Sequence, residues 1–305
     1  TSTSQAGCLQ SGICHLFRET LIDSGFVEIR TPKMISVASD RGANVFTVSS
    51  FKNNDCLTQS PLKMCVGADF EKVFCIGPVF RAEDTNTHRR LTEFVGLDIE
   101  MAFHDHDHEE VQEIADTLVQ LFKKLQERSQ IEIQTANKQF PCDPFKFLEP
   151  TLRLEYGKVL AVLRGAGIEM GGGGSPSDRL LGRLVKERHD TDFYILDKDP
   201  WAVRPFDTMP DPRNPKLPHS YDMFMRGEEI LSGAQRMHDP QPPTERASHH
   251  GIGLGKPKAH VDPFRCGAPP PAGRGTGWEL VTMLLGLHPV HRTPRFPRVP
   301  KEHTP

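Results

Sequence analysis

The chain has 305 residues, with 37 Lys and Arg against 40 Asp and Glu, a net charge of -3 and 37% hydrophobic residues. That is apolar material for one large or two modest globular domains, and a pI of about 6.5 excludes wholesale electrostatic attraction to nucleic acid, leaving only local patches. Seven cysteines with no CxxC pair argue against a zinc ribbon or a disulfide framework, and no apolar run reaches the roughly 18 residues that span a bilayer, so a reducing, cytoplasmic setting is expected.

Leu9, Ile13, Leu16, Phe17 and Leu21 recur at helical spacing, and Gly25 stands where such a helix would be capped. "FVEIR" then reads as a strand that Pro32 stops, because proline has no ladder donor. Residues 71–80, "EKVFCIGPVF", read as a second strand. After the charged run "RAEDTNTHRR", Leu97, Ile99, Met101 and Phe103 alternate with polar or small residues at the period of a half-buried strand. The two strands predict a hairpin around a long charged loop, and a tethered loop of that length more often serves function than structure.

Val111, Ile114, Ala115, Leu118, Val119, Phe122 and Leu125 form one helical stripe, so 111–125 is expected to be an amphipathic helix covering a sheet. Helices are expected near 154–164 and 178–187, separated by the flexible loop "GGGGSPS", and strands at 192–197, 221–225 and 229–236. Strands and helices mixed without regular βαβ alternation predict an α+β domain around a mainly antiparallel sheet. Residues 239–275, rich in Pro, His and Gly, read as loop.

Glycines at 273, 275 and 277 come after a proline run in "APPPAGRGTGWELV". Glycine spacing of this kind lets backbone N–H groups face an anion, but it is equally a plain turn. A Walker loop needs Gly-Lys-Ser/Thr, and a dinucleotide fingerprint needs glycine where Trp278 stands, so both are excluded.

Three polar constellations carry possible chemistry. His104, His106 and His108 in "HDHDHEE" are good metal ligands, yet the acidic residues between them fit a solvated strand-to-helix loop as well. In "FRAEDTNTHRRLTEF", Arg81, Arg89 and Arg90 stand beside Glu83 and Glu93. Arginine's planar fork suits phosphate or carboxylate, and Phe94 offers a stacking face. In "YDMFMRGEEILSGAQR", Asp222 and Glu229 could share a hard cation bound to phosphates. The bland readings are a salt-bridged hairpin and a hairpin with charged edges.

The order of a helix and strand ending at Pro32, "FRAE", "FVGLDIEMAF", "TMPDPRNPK", "GEEILSGAQR" and a glycine-rich strand-to-helix turn resembles class II aminoacyl-tRNA synthetases, within them the eukaryotic cytosolic aspartyl branch. The resemblance runs from Leu9 to the C-terminus. It implies an antiparallel sheet of about seven strands flanked by helices, a homodimer built through the first motif, and two-step transfer of aspartate through an adenylate to tRNA(Asp). It implies that Arg81 holds the α-phosphate of ATP, that Glu83 lies near the adenine or the tRNA end, and that Phe94 carries the adenine. Gly275 and Gly277 fall in the ATP-binding turn. Asp222 and Glu229 match carboxylates for Mg²⁺, with Glu229 also on ATP. Arg236 matches the arginine that selects aspartate's side chain, with Asp40, Gln59, Lys63 and Ser232 around the amino acid. It further implies one catalytic domain over 1–305 without the N-terminal anticodon-binding OB barrel, hence weak tRNA binding.

Departures fall inside the motifs. The third motif of the family ends in Glu-Arg, and that arginine grips the outer phosphates, whereas the place is Leu280 here, with Arg274 at a usual glycine and Pro271 at a usual histidine. "QSPLKMC" is three residues shorter than the family segment, which in a helix turns the residues downstream by about 60° and draws them back by about 4.5 Å. Asp40-Arg41 replaces a usual Glu-Gly pair. These departures imply impaired catalysis, and the alternative is a catalytically dead binding or dimerisation module, pairing with itself or with an intact synthetase.

Overall fold

The computed structural model describes residues 2–35, 45–50, 53–57, 70–82, 90–102, 107–165, 176–198, 208–211, 214–235, 267, 269, 271–285, 290, 293, 294 and 296–300. The helix expected from Leu9 begins earlier, as α1, Ser2–Asp23. Its end obeys the logic of a glycine cap. Gly25 takes φ 82°, its N–H bonds to Ile22 O at 3.0 Å, and the Phe26 N–H reaches back to Leu21 O at 2.9 Å. Leu21 and Phe26 are both buried, which supplies the apolar contact that accompanies such a cap.

The expected strand "FVEIR" shrinks to β1, Val27–Glu28, which among the described residues pairs only with β5. Short strands β2 (Met34–Ile35), β3 (Thr47–Ser50) and β4 (Asn53–Leu57) make a small sheet that no periodicity announced. The main hairpin is β5, Lys72–Phe80, with β6, Glu93–Ala102, in register from Lys72↔Met101 to Phe80↔Glu93. Leu97, Ile99 and Met101 are buried, as their alternation requires.

Helix α2, Asp107–Arg128, buries its stripe of Val111, Ile114, Leu118, Phe122 and Leu125 against α1 and the hairpin. The next helix, α3, Gln130–Gln139, has little apolar periodicity and is held chiefly by Ala136 and Ile133. Then come β7 (Leu152–Glu155), α4 (Tyr156–Gly165), α5 (Pro176–His189) and β8 (Phe193–Asp197). After the short pair β9 (Pro210–Asp211) and β10 (Asn214–Pro218), a second hairpin joins β11 (Ser220–Met225) to β12 (Glu228–Ala234). The left-handed turn at Arg226 and Gly227 closes it.

The chain then returns as β13, Pro271–Gly277, leading into α6, Trp278–Leu284. Residues 271–275 are therefore strand and not loop, because backbone pairing to β6 overrides their poor strand propensity. Two four-stranded sheets result, β1-β5-β6-β13 and β12-β11-β8-β7, with β13 running beside β12. Most pairings are antiparallel. The exceptions are β1 with β5 and β7 with β8, which makes the α+β architecture mixed at both edges.

One apolar core joins Leu97, Ile99 and Met101 of the first sheet to Ile195, Tyr221, Met223 and Met225 of the second, beneath α1, α2 and α6. Over part of the second sheet, α4 and α5 pack Leu163, Leu181 and Val185 on Tyr194, Leu196 and Phe224. Among the described residues no helix is long and apolar enough to cross a membrane.

Candidate active site

The β5–β6 register places Val79 opposite Phe94, and the Arg81 N–H extends the ladder to Thr92 O at 2.9 Å. Arg81 is two residues beyond Val79 and thus returns to the face of Phe94. Its guanidinium carbon stands 5.4 Å from the centre of the Phe94 ring. The Arg81 Nε is buried with no hydrogen-bond partner among the described residues. A cation held over a ring at this distance is attracted by about 0.5–1 kcal/mol where exposed, and by more where water is excluded.

Strand β13 runs along the other edge of β6, with Gly277 opposite Gly96, Gly275 opposite Asp98 and Gly273 opposite Glu100. The alternate glycines lie on the face that carries Phe94. A Cβ on Gly277 would stand 3.2 Å from Phe94 Cδ2, and one on Gly275 would fall on Asp98 Oδ1. The glycines at 275 and 277 therefore make room for Asp98 and Phe94, and Gly273 for the β6 backbone. Arg274 pairs with Ile99 in the same ladder.

Past Gly277 the chain turns into α6, and Glu279 folds back so that its Oε1 accepts the Val95 N–H at 2.9 Å. Glu279 is 3% exposed. Burial pushes its carboxyl up to about 8 against the opposing pull of that hydrogen bond, so it is a neutral acid at moderate pH. The nearby Cys14 thiol of α1 is also pushed up, to about 11, chiefly by burial. Sequence reasoning missed Glu279, although its position two residues after the last glycine of "GRGTGWEL" was a usable signal. Leu280, at the motif's arginine position, is half-buried and packs on the main core.

The second constellation lies on the β11–β12 hairpin. Asp222 pairs with Ser232 and Phe224 with Glu229, while Met223 and Leu231 go into the main core. The alternation puts Asp222, Ser232 and Glu229 on the face away from that core, with Asp222 buried. The register shift between Met223 and Phe224 is what brings Glu229 to this face. Two carboxylates and a hydroxyl are hard oxygen donors that fit Mg²⁺, a cation that takes its other ligands from water and phosphate. Among the described residues no group of three or more His, Cys, Asp and Glu could enclose a metal by itself.

Arg81, Phe94, Gly275 and Gly277 are thus brought together on one face, and Asp222, Glu229 and Ser232 share a face of the adjoining sheet. Asp40, Gln59, Lys63, Glu83 and Arg236 lie outside the described residues, as do His104 and His106 of the histidine-rich run.

Residues 2–300 match the model of the family described as tRNA synthetases class II (D, K and N). The chain is 72% identical over 313 aligned residues to the cytoplasmic aspartate–tRNA ligase of Homo sapiens, covering 100% of this chain and 62% of that protein. It is 54% identical over 304 residues to the corresponding protein of Caenorhabditis elegans, covering 97% of this chain and 57% of that protein. The solved aspartyl tRNA synthetase from Entamoeba histolytica superposes with a TM-score of 0.86 at 40% identity, over 99% of this chain and 59% of that one. Against the mammalian relatives the match thus spans 62% of their length.

Proposed function

The chain belongs to the class II tRNA synthetases of the D, K and N group, and on that premise we propose that it is the catalytic part of a cytoplasmic aspartate–tRNA ligase whose first step is impaired. The observation that carries this reading is the Arg81–Phe94 pair: a flat ring with a cation over it, and Gly277 packed against the ring's edge. That arrangement suits a purine stacked on Phe94 with its phosphates reaching Arg81.

In this reading an oxygen of the aspartate α-carboxylate attacks the α-phosphorus of ATP, the bond to pyrophosphate breaks, and aspartyl-adenylate forms. A ribose hydroxyl at the tRNA(Asp) terminus then attacks the aspartyl carbonyl and AMP leaves. Arg81 neutralises charge on the α-phosphate, and Glu83 lies near the adenine or the tRNA end. Asp222 and Glu229 would hold Mg²⁺, which neutralises phosphate charge when bound. Arg236 pairs with the aspartate side chain, with Asp40, Gln59, Lys63 and Ser232 around it.

Leu280 supports the impairment. A leucine packed on the core cannot grip an outer phosphate, and loss of a desolvated charged partner costs about 2–5 kcal/mol. Aspartate-dependent exchange of pyrophosphate into ATP tests the assignment. Weak exchange that Leu280→Arg increases is the expected result. Folded protein with no exchange in either form would overturn it.

A second reading, a non-catalytic dimerisation module, is favoured by a different observation. Ile22 and Val27 are exposed large apolar residues within the helix and strand at 9–32 that the resemblance assigns to dimer contacts, and Met34, just past it, is exposed too. Co-purification with an intact synthetase, in the absence of exchange, is the outcome that selects it.

A further inference from the structure

Strand β13 ends opposite Gly96, one residue short of Val95. Had the strand continued, Trp278 would face Val95 and the ladder would offer it a carbonyl. The turn into α6 removes that acceptor and would leave an N–H unpaired next to Phe94, which is costly where water is excluded. Glu279 fills the gap, with Oε1 on the Val95 N–H at 2.9 Å across 184 residues of sequence. The same carboxyl lies beside Gly277. Its Oε2 is 3.8 Å from where a Cβ on Gly277 would stand, and it is buried without a hydrogen-bond partner among the described residues.

We propose that Glu279 is a positioning residue for nucleotide binding: it clips the β13–α6 junction to β6 at Val95 and thereby sets the Phe94 ring against Gly277. The clip rests on the reading of Phe94 as the adenine platform. A ring held only by its own strand could shift by a fraction of an ångström, and stacking is sensitive to such shifts. At the end of the ladder Gly277 carries no side chain and Leu280 turns to the core, so neither can replace the carboxyl. Ser232, the one described residue assigned to aspartate, stands on β12 of the other sheet, so removal of this bond is expected to act on ATP.

Glu279→Gln keeps an oxygen acceptor at the Oε1 place. Glu279→Ala removes it, and Glu279→Met removes it while retaining volume, which protects the comparison if the alanine variant does not fold. Three quantities are measured on the whole chain: hydrogen exchange at the Val95 amide, affinity for ATP and affinity for L-aspartate. The expected result is loss of Val95 protection and about tenfold weaker ATP binding in the Ala or Met variant, with aspartate binding unchanged and the Gln variant within about threefold of wild type. Lost protection with unchanged ATP affinity, or equal weakening of both ligands, would overturn the positioning role. Wild-type protein that protects Val95 yet binds no ATP would instead sink the reading of the platform, and with it this proposal.

Discussion

The carboxylate of Asp98 occupies the place where a side chain on Gly275 would begin. The two residues face each other across the β6–β13 ladder, and Asp98 is buried. The glycine is thus demanded by a neighbour rather than by a turn. Gly275→Ala must push Asp98 aside or part the strands, and overpacking of this kind costs about 1–3 kcal/mol. Thermal melting should show the loss. Asp98→Ala combined with Gly275→Ala should recover part of it, and strictly additive losses would contradict the contact.

Arg81 and Phe94 should behave as a pair. Phe94→Leu keeps volume but removes the ring face, and Phe94→Tyr keeps both. The leucine variant is expected to weaken ATP binding by about five- to tenfold, while the tyrosine variant stays close to wild type. Arg81→Lys keeps charge yet loses the planar fork, so it should rescue little of the loss caused by Arg81→Ala. Full rescue by lysine would show that charge alone suffices.

Leu280→Arg should raise pyrophosphate exchange by about 30-fold or more, the rate equivalent of a recovered charged partner. It should also lower stability, because the leucine contributes apolar contact to the core beneath α6. Opposite signs for activity and melting temperature are the test. A variant that melts lower with no gain in exchange would place the defect elsewhere in the chain.

Much of the frame was legible in the sequence. The stripes of α1 and α2, the alternation at Leu97, Ile99 and Met101, and the paired strands around Gly227 all come from burial, which writes a period into the residues. What burial did not write was missed. Helix α3 has few apolar residues, β2 is only two residues long, β3 and β4 are short and mostly polar, and β13 is a strand only because β6 pairs with it. The site divides the same way. Arg81 and Phe94 could be named because their hairpin is strongly periodic, whereas the tie from Glu279 to Val95 joins residues 184 positions apart and leaves no local pattern.

The buried Glu279 carboxyl also gives stability a definite pH dependence. Its value rises on folding from an ordinary 4.5 to about 8, so the folded chain holds a proton that the unfolded chain releases. Between those limits the unfolded state binds fewer protons, and unfolding free energy must fall as pH rises. The contribution is full below about pH 4.5 and is lost as pH passes through about 8, above which the carboxylate is charged in both states. The limiting slope for one such group is about 1.4 kcal/mol per pH unit. Glu279→Gln carries the same shape with nothing to titrate. Denaturant unfolding at several pH values from about 5 to 8 should therefore show wild type losing ground to the variant as pH increases. Parallel curves would mean that Glu279 is already ionised in the folded chain, held by a partner strong enough to offset its burial.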